Sequence, residues 1–125
     1  MDKIIIIAHG SPKKEINNLD SMVEDLAIVL GKKVEDIKYA YLKYGSPSVD
    51  EAITKCVEEG AKRIIIHPFF LSSGSHVSFD IPKIIENIKK LYPQLEVLST
   101  NPLGKSKKLV YVIKDLIEEN LERIS

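Results

Sequence analysis

Four consecutive isoleucines, Ile4–Ile7, stand almost at the start of this chain. A run that is β-branched and apolar on both alternating faces suits a strand buried on both sides, as in a parallel sheet covered by helices. A second such run, Arg63–His67, carries Ile64, Ile65 and Ile66 and ends at Pro68. Between and after these runs the apolar period changes to that of a helix. Ile16, Leu19, Val23, Leu26 and Leu30 share one face, and Gly31 stops them. Ser48 and Glu51 read as a capping box ahead of Val49, Ala52, Ile53, Cys56 and Val57, closed by Gly60. Asp80 reads as an N-cap, with Pro82 in the first turn of a helix whose stripe is Ile81, Ile84, Ile85, Ile88 and Leu91. Leu109, Ile113, Leu116, Ile117, Leu121 and Ile124 mark a final helix, while Asp36–Leu42 and Leu95–Leu98 supply two further strands.

The string is βαβαβαβα, which predicts an α/β fold: a parallel four-stranded sheet with helices on both faces and right-handed crossovers. At 125 residues it is one domain, spanning 1–125, with 44% hydrophobic and 29% charged residues. Of two reasonable strand orders, 2-1-3-4 is the commoner for a short open sheet. In that order strands 1 and 3 are neighbours whose following loops diverge, opening a crevice at their carboxyl ends where such sheets bind ligands. The loops concerned are His9–Glu15 and Phe69–Asp80.

Charge and composition narrow the function. Eighteen basic and eighteen acidic residues give zero formal net charge, so neither nucleic acid nor an anionic membrane surface is an expected partner. A single cysteine, Cys56, excludes an intrachain disulfide or a Cys-based zinc cluster, and its place on a core stripe makes it a small hydrophobe. No apolar run is long enough for a signal peptide or a membrane span, so the expected location is cytoplasmic. Glycine-rich nucleotide fingerprints and the G-x-S-x-G elbow are absent. Each crevice loop carries a histidine beside a glycine: His9 with Gly10 and Ser11, and His76 after Gly74. Imidazole can ligate borderline transition metals and accept a proton near pH 7. Either histidine could equally be a hydrogen-bonded loop residue, and His67, inside an apolar strand, reads as structural. A small hydrolase using His9 and Ser11 would need an acidic partner that the sequence does not place.

At these two loops the sequence resembles the class II chelatases of modified-tetrapyrrole biosynthesis, most of all the short CbiX-type sirohydrochlorin chelatases. The matching elements are His9-Gly10-Ser11 after the first strand, Gly60-Ala61 before the third, and Pro68-x-Phe70-Leu71-x-x-Gly74-x-His76 with Asp80-Ile81-Pro82. Pro102-Leu103-Gly104 follows before the last helix. The resemblance implies a chelatase-like three-layer αβα lobe that inserts a divalent metal, Co²⁺ foremost and Ni²⁺ or Fe²⁺ otherwise, into sirohydrochlorin. No tightly bound cofactor is implied, because the metal is a substrate. His9 and His76 would be the metal-binding and catalytic pair, with Gly10, Ser11, Phe70, Leu71, Gly74 and Lys43 toward the tetrapyrrole. Lys43 stands where the family commonly has an acidic residue, and Lys105-Ser106 stands where it often has a histidine. A non-catalytic binder of tetrapyrrole or metal is the alternative reading. Longer family members resemble two lobes of this size across a cleft, so a homodimer is expected here.

Overall fold

The computed structural model describes residues 2–13, 19–69 and 75–124, with residues 75–79, 123 and 124 described by backbone alone. β1 (Asp2–Ala8) is an inner strand, paired in parallel with β2 (Ile37–Tyr41) on one side and β3 (Arg63–Pro68) on the other. β4 (Glu96–Ser99) pairs with β3, so the order is 2-1-3-4, as the sequence predicts. Four helices follow the strands: α1 (Asp20–Leu30), α2 (Val49–Glu58), α3 (Ser75–Leu91) and α4 (Leu109–Ile124).

The isoleucine run divides its side chains between two cores. Ile5 and Ile7 join Ile64, Ile66 and Val97 under α2 and α3, with Cys56 fully buried among them. Ile4 and Ile6 face the other way, packing with Ile37, Tyr41 and the α1 residues Val23 and Ala27. Local signals place the helix ends. Ser48 Oγ accepts from Glu51 N–H at 3.2 Å while Glu51 reaches back to the Ser48 N–H, completing the capping box of α2. Gly31 ends α1 in the left-handed conformation, at φ 66°.

α3 departs from the sequence reading. It begins at Ser75, so Asp80 is not its N-cap and Pro82 lies inside the helix. Asp-x-Pro is a common helix-start pattern, but Ser75–Phe79 contains no glycine or proline to stop the helix from beginning earlier. His76 therefore belongs to the first turn of a helix rather than to a loop.

The second departure is α4. Leu109 at its start is half-buried, but the rest of its predicted core stripe is exposed: Ile113 55%, Leu116 59%, Ile117 55% and Leu121 59%. On the α1 side, the sheet is correspondingly open over β3 and β4, where Ile65 is half-buried and its neighbour Leu98 is 44% exposed. The chain exposes 8672 Å², against roughly 6700 Å² for a folded monomer of this mass by the usual surface scaling.

Charge is concentrated at the amino edge of the sheet. Lys3, buried on the α2 side, places its Nζ 2.7 Å from Asp36 Oδ1 and 3.3 Å from Glu59 Oε1, and Lys38 Nζ lies 2.9 Å from the same Glu59 oxygen. Hydrogen bonds from Lys3 to Asp36 and from Lys38 to Glu59 hold both carboxyls below their ordinary range, and the Asp36 contact raises Lys3. A carboxyl with a depressed folded pKa stabilises the native state above its unfolded pKa. That contribution is lost as pH falls through the folded value. Stability should therefore decline in acid below about pH 4, and Lys3→Met should flatten that decline. Urea titrations from pH 7 to pH 2.5 check this; equal acid slopes for the two proteins would refute it.

At the opposite, carboxyl edge the β1–β2 pairing continues past the strands. Leu42 N–H donates to Ala8 O and Lys43 N–H to His9 O, each at 2.9 Å. Gly10 follows at φ 94°, and a β-carbon there would lie 1.7 Å from the Lys43 carbonyl oxygen. Backbone contact and positive φ together demand glycine. Gly10→Ala should lose more than about 1 kcal/mol of stability in urea unfolding, and an unchanged midpoint would contradict the tight approach.

Candidate active site at the carboxyl edge of the sheet

The carboxyl ends of β1 and β3 lie side by side, and Phe69 N–H donates to Ile7 O at 2.7 Å just beyond β3. His9 leaves β1 at this edge with its ring exposed. Its Nδ1 lies 3.1 Å from Gly10 O. A carbonyl oxygen can only accept, so this contact requires Nδ1 to carry the hydrogen, and in the neutral ring the lone pair is then on Nε2. That tautomer suits a base or a metal ligand. Ser11 is half-buried, and its Oγ accepts from the Lys13 N–H at 3.2 Å, tightening the turn after Gly10.

β3 leads through Phe69, which packs against the α1-side core, toward α3. Phe70, Leu71 and Gly74 lie outside the described residues, as does the side chain of His76. The backbone of His76 sits in the first turn of α3, the helix that follows β3 in the chain. Both histidines thus follow the two adjacent strands of the predicted crevice: His9 directly, and His76 on the helix after β3. Among the described residues, no three His, Cys, Asp or Glu side chains group closely enough to hold a metal ion.

Lys43 is exposed at the end of β2, tied to the His9 carbonyl through its own backbone. It also lines a pocket of about 350 Å³ between the start of α2 and α3, together with Ser48, Asp50, Asp80, Lys83 and Asn87. Asp80, Lys83 and Asn87 were not singled out as a group by the sequence reading. Their spacing along α3 is the helical signal that would have joined them, once the helix is known to start before Asp80.

His67 is half-buried, as its strand position suggests, and burial lowers its pKa. Its Nδ1 lies 2.7 Å from Thr100 Oγ1, and that hydroxyl donates to Asn101 O at 3.1 Å. The Thr100 hydrogen is thereby used, so His67 Nδ1–H donates to Thr100. Thr100 carried no motif or periodic signal in the sequence.

With this geometry in view, the likenesses to known proteins are specific. The family model described as CbiX matches residues 3–120. The chain is 34% identical over 125 residues to sirohydrochlorin ferrochelatase, chloroplastic, of Arabidopsis thaliana, a match covering 98% of this chain and 54% of that protein. It is 28% identical over 118 residues to sirohydrochlorin cobaltochelatase of Sulfurisphaera tokodaii, covering 94% of this chain and 92% of that one. A crystal structure from Marinobacter aquaeolei, named for a cobalamin (vitamin B12) biosynthesis CbiX protein, superimposes with a TM-score of 0.80 at 28% identity. It covers 98% of this chain and 99% of that one. The chain therefore spans about half the length of the longer curated relatives it matches, and nearly the whole of the short ones. A family match running from Lys3 almost to the end of α4, with a structural neighbour superimposing over 98% of the chain, leaves one conclusion: this chain belongs to the CbiX family.

Proposed function

We propose that this chain is a sirohydrochlorin metal chelatase, inserting a divalent metal, Co²⁺ foremost and Ni²⁺ or Fe²⁺ otherwise, into the tetrapyrrole. The observation that carries the reading is His9, held at the carboxyl edge of β1 as the tautomer whose lone pair lies on Nε2. The relatives named as sirohydrochlorin cobaltochelatase and ferrochelatase support the same substrate and leave both Co²⁺ and Fe²⁺ in play.

Metal insertion exchanges two pyrrole N–H protons for one M²⁺ ion, so the site must deliver a cation and take up protons. Imidazole nitrogen binds borderline divalent ions without the tenacity of a thiolate, and it accepts protons near neutral pH. His9 and His76 are the proposed pair for both tasks. Gly10 lets the chain turn directly after His9, and Ser11 closes that turn. Phe70, Leu71 and Gly74 are proposed to line the flat apolar part of the ring, and exposed Lys43 to meet one of its peripheral carboxylates. The relatives of twice this length support a pairing of two such lobes, and we read the working unit here as a homodimer.

Visible absorbance of sirohydrochlorin mixed with Co²⁺ and the purified chain tests the reading. The protein should accelerate the spectral change over the uncatalysed rate, and His9→Ala or His76→Ala should each slow it by about a hundredfold or more. Saturable binding without turnover would instead establish the non-catalytic reading. Lys43→Ala should raise KM several-fold with kcat little altered, and an unchanged KM would remove Lys43 from the substrate site.

A further inference from the structure

We infer that Lys83 of α3 is a further substrate-binding residue: together with Lys43 it grips two neighbouring carboxylate arms on the rim of the tetrapyrrole and so fixes the ring's rotation over the site. Two separate elements bring the lysines together. Lys43 lies at the end of β2, its N–H bonded to the His9 carbonyl at 2.9 Å. Lys83 lies on α3, and both line the pocket of about 350 Å³ between the start of α2 and α3. The pocket therefore adjoins the strand end that carries His9. Along α3, position 83 follows position 76 by seven residues, or two turns. That spacing returns to one face of the helix about 10 Å further on, at 1.5 Å per residue. This length is comparable to the distance from the centre of a tetrapyrrole to its outer carboxylates. A ring centred near the two histidines thus brings its rim to the pocket.

The lining suits carboxylate arms. Among the described residues neither Lys43 nor Lys83 takes part in an ion pair, so both ammonium groups are available to an anion. Asn87 adds amide N–H donors, and Ser48 a hydroxyl. Two carboxylates also border the pocket, and neither cancels the lysines. Asp50 belongs to the first turn of α2, where the helix dipole offsets its charge, and Asp80 is half-buried with a partner of its own. Buried Val49 and half-buried Leu42 and Ile84 supply an apolar floor for the methylenes that carry the carboxylates. One lysine can hold any arm of a ring that has arms all round it. Two lysines on different elements select adjacent arms, and thereby one orientation of the ring.

The inference rests on the tetrapyrrole substrate proposed above, and its test is separable from turnover. Metal-free sirohydrochlorin, followed by its visible absorbance, is titrated with the unaltered chain, Lys83→Ala, Lys83→Arg and Glu86→Ala. The titrations are repeated with the ring's carboxylates fully esterified. Glu86 is an exposed charge on the same helix outside the pocket lining, so its loss controls for surface charge alone. Lys83→Ala should weaken binding of the free acid by at least about threefold, the scale of an exposed ion pair. Lys83→Arg should restore most of that loss, and Glu86→Ala should bind as the parent does. The esterified ring should bind the parent and Lys83→Ala alike. Equal binding of the free acid by Lys83→Ala and the parent would overturn the inference. An equal loss for acid and ester would overturn it too, since a distorted α3 and not a missing charge would then be the cause. In the Co²⁺ assay, kcat/KM of Lys83→Ala should fall at least as far as its affinity. A parent that binds sirohydrochlorin yet inserts no metal overturns the chelatase reading and leaves the titrations to decide on Lys83. A parent that does not bind it overturns both.

Discussion

Everything in this fold depends on burying β1 from both sides. A strand with isoleucine at four consecutive positions has no face to offer water, so α1 must cover one side and α2 with α3 the other. Once β1 is interior, its neighbours are fixed as β2 and β3, and the crossovers that follow send their loops apart at one edge. The position of His9 is a by-product of that arrangement, because the run of isoleucines ends where the sheet ends. Chemistry-bearing residues sit where the chain first escapes the core.

The strands and their order were legible because continuous β-branched runs and helical stripes differ sharply in period. Ser48 with Glu51, and Gly31 after Leu30, marked helix ends through local chemistry that needs no tertiary context. The start of α3 was not legible: Asp80 and Pro82 carry a start signal, while Ser75–Phe79 carry no positive signal of any kind. The exposure of the α4 stripe was equally hidden, since an apolar period marks a helix face without saying what lies against it. At the site, His9 and Gly10 were visible as residue types. The reason for Gly10, a carbonyl from the end of β2 pressed against it, is a contact between segments more than thirty positions apart. Thr100 under His67 is of the same sort, two neutral polar groups that only the fold brings together.

The carboxyl edge is assembled largely from main chain. Ala8 and His9 receive N–H groups from Leu42 and Lys43, and Ile7 receives that of Phe69, so the ends of three strands are tied to one another by backbone hydrogen bonds. Side chains projecting from such a frame can differ between relatives without disturbing it. The side chain of Lys43 is free of that duty, since only its backbone ties the edge together.

The ion-pair cluster of Lys3, Lys38, Asp36 and Glu59 occupies the far edge of the same sheet. From Lys3 to His9 the chain runs six residues of strand, roughly 20 Å at 3.3 Å per residue. Two regions so far apart contribute to the free energy nearly independently. The amino edge is thus a place to toughen the scaffold, or to tether it to a support, while the histidine end keeps its shape and its access to solution.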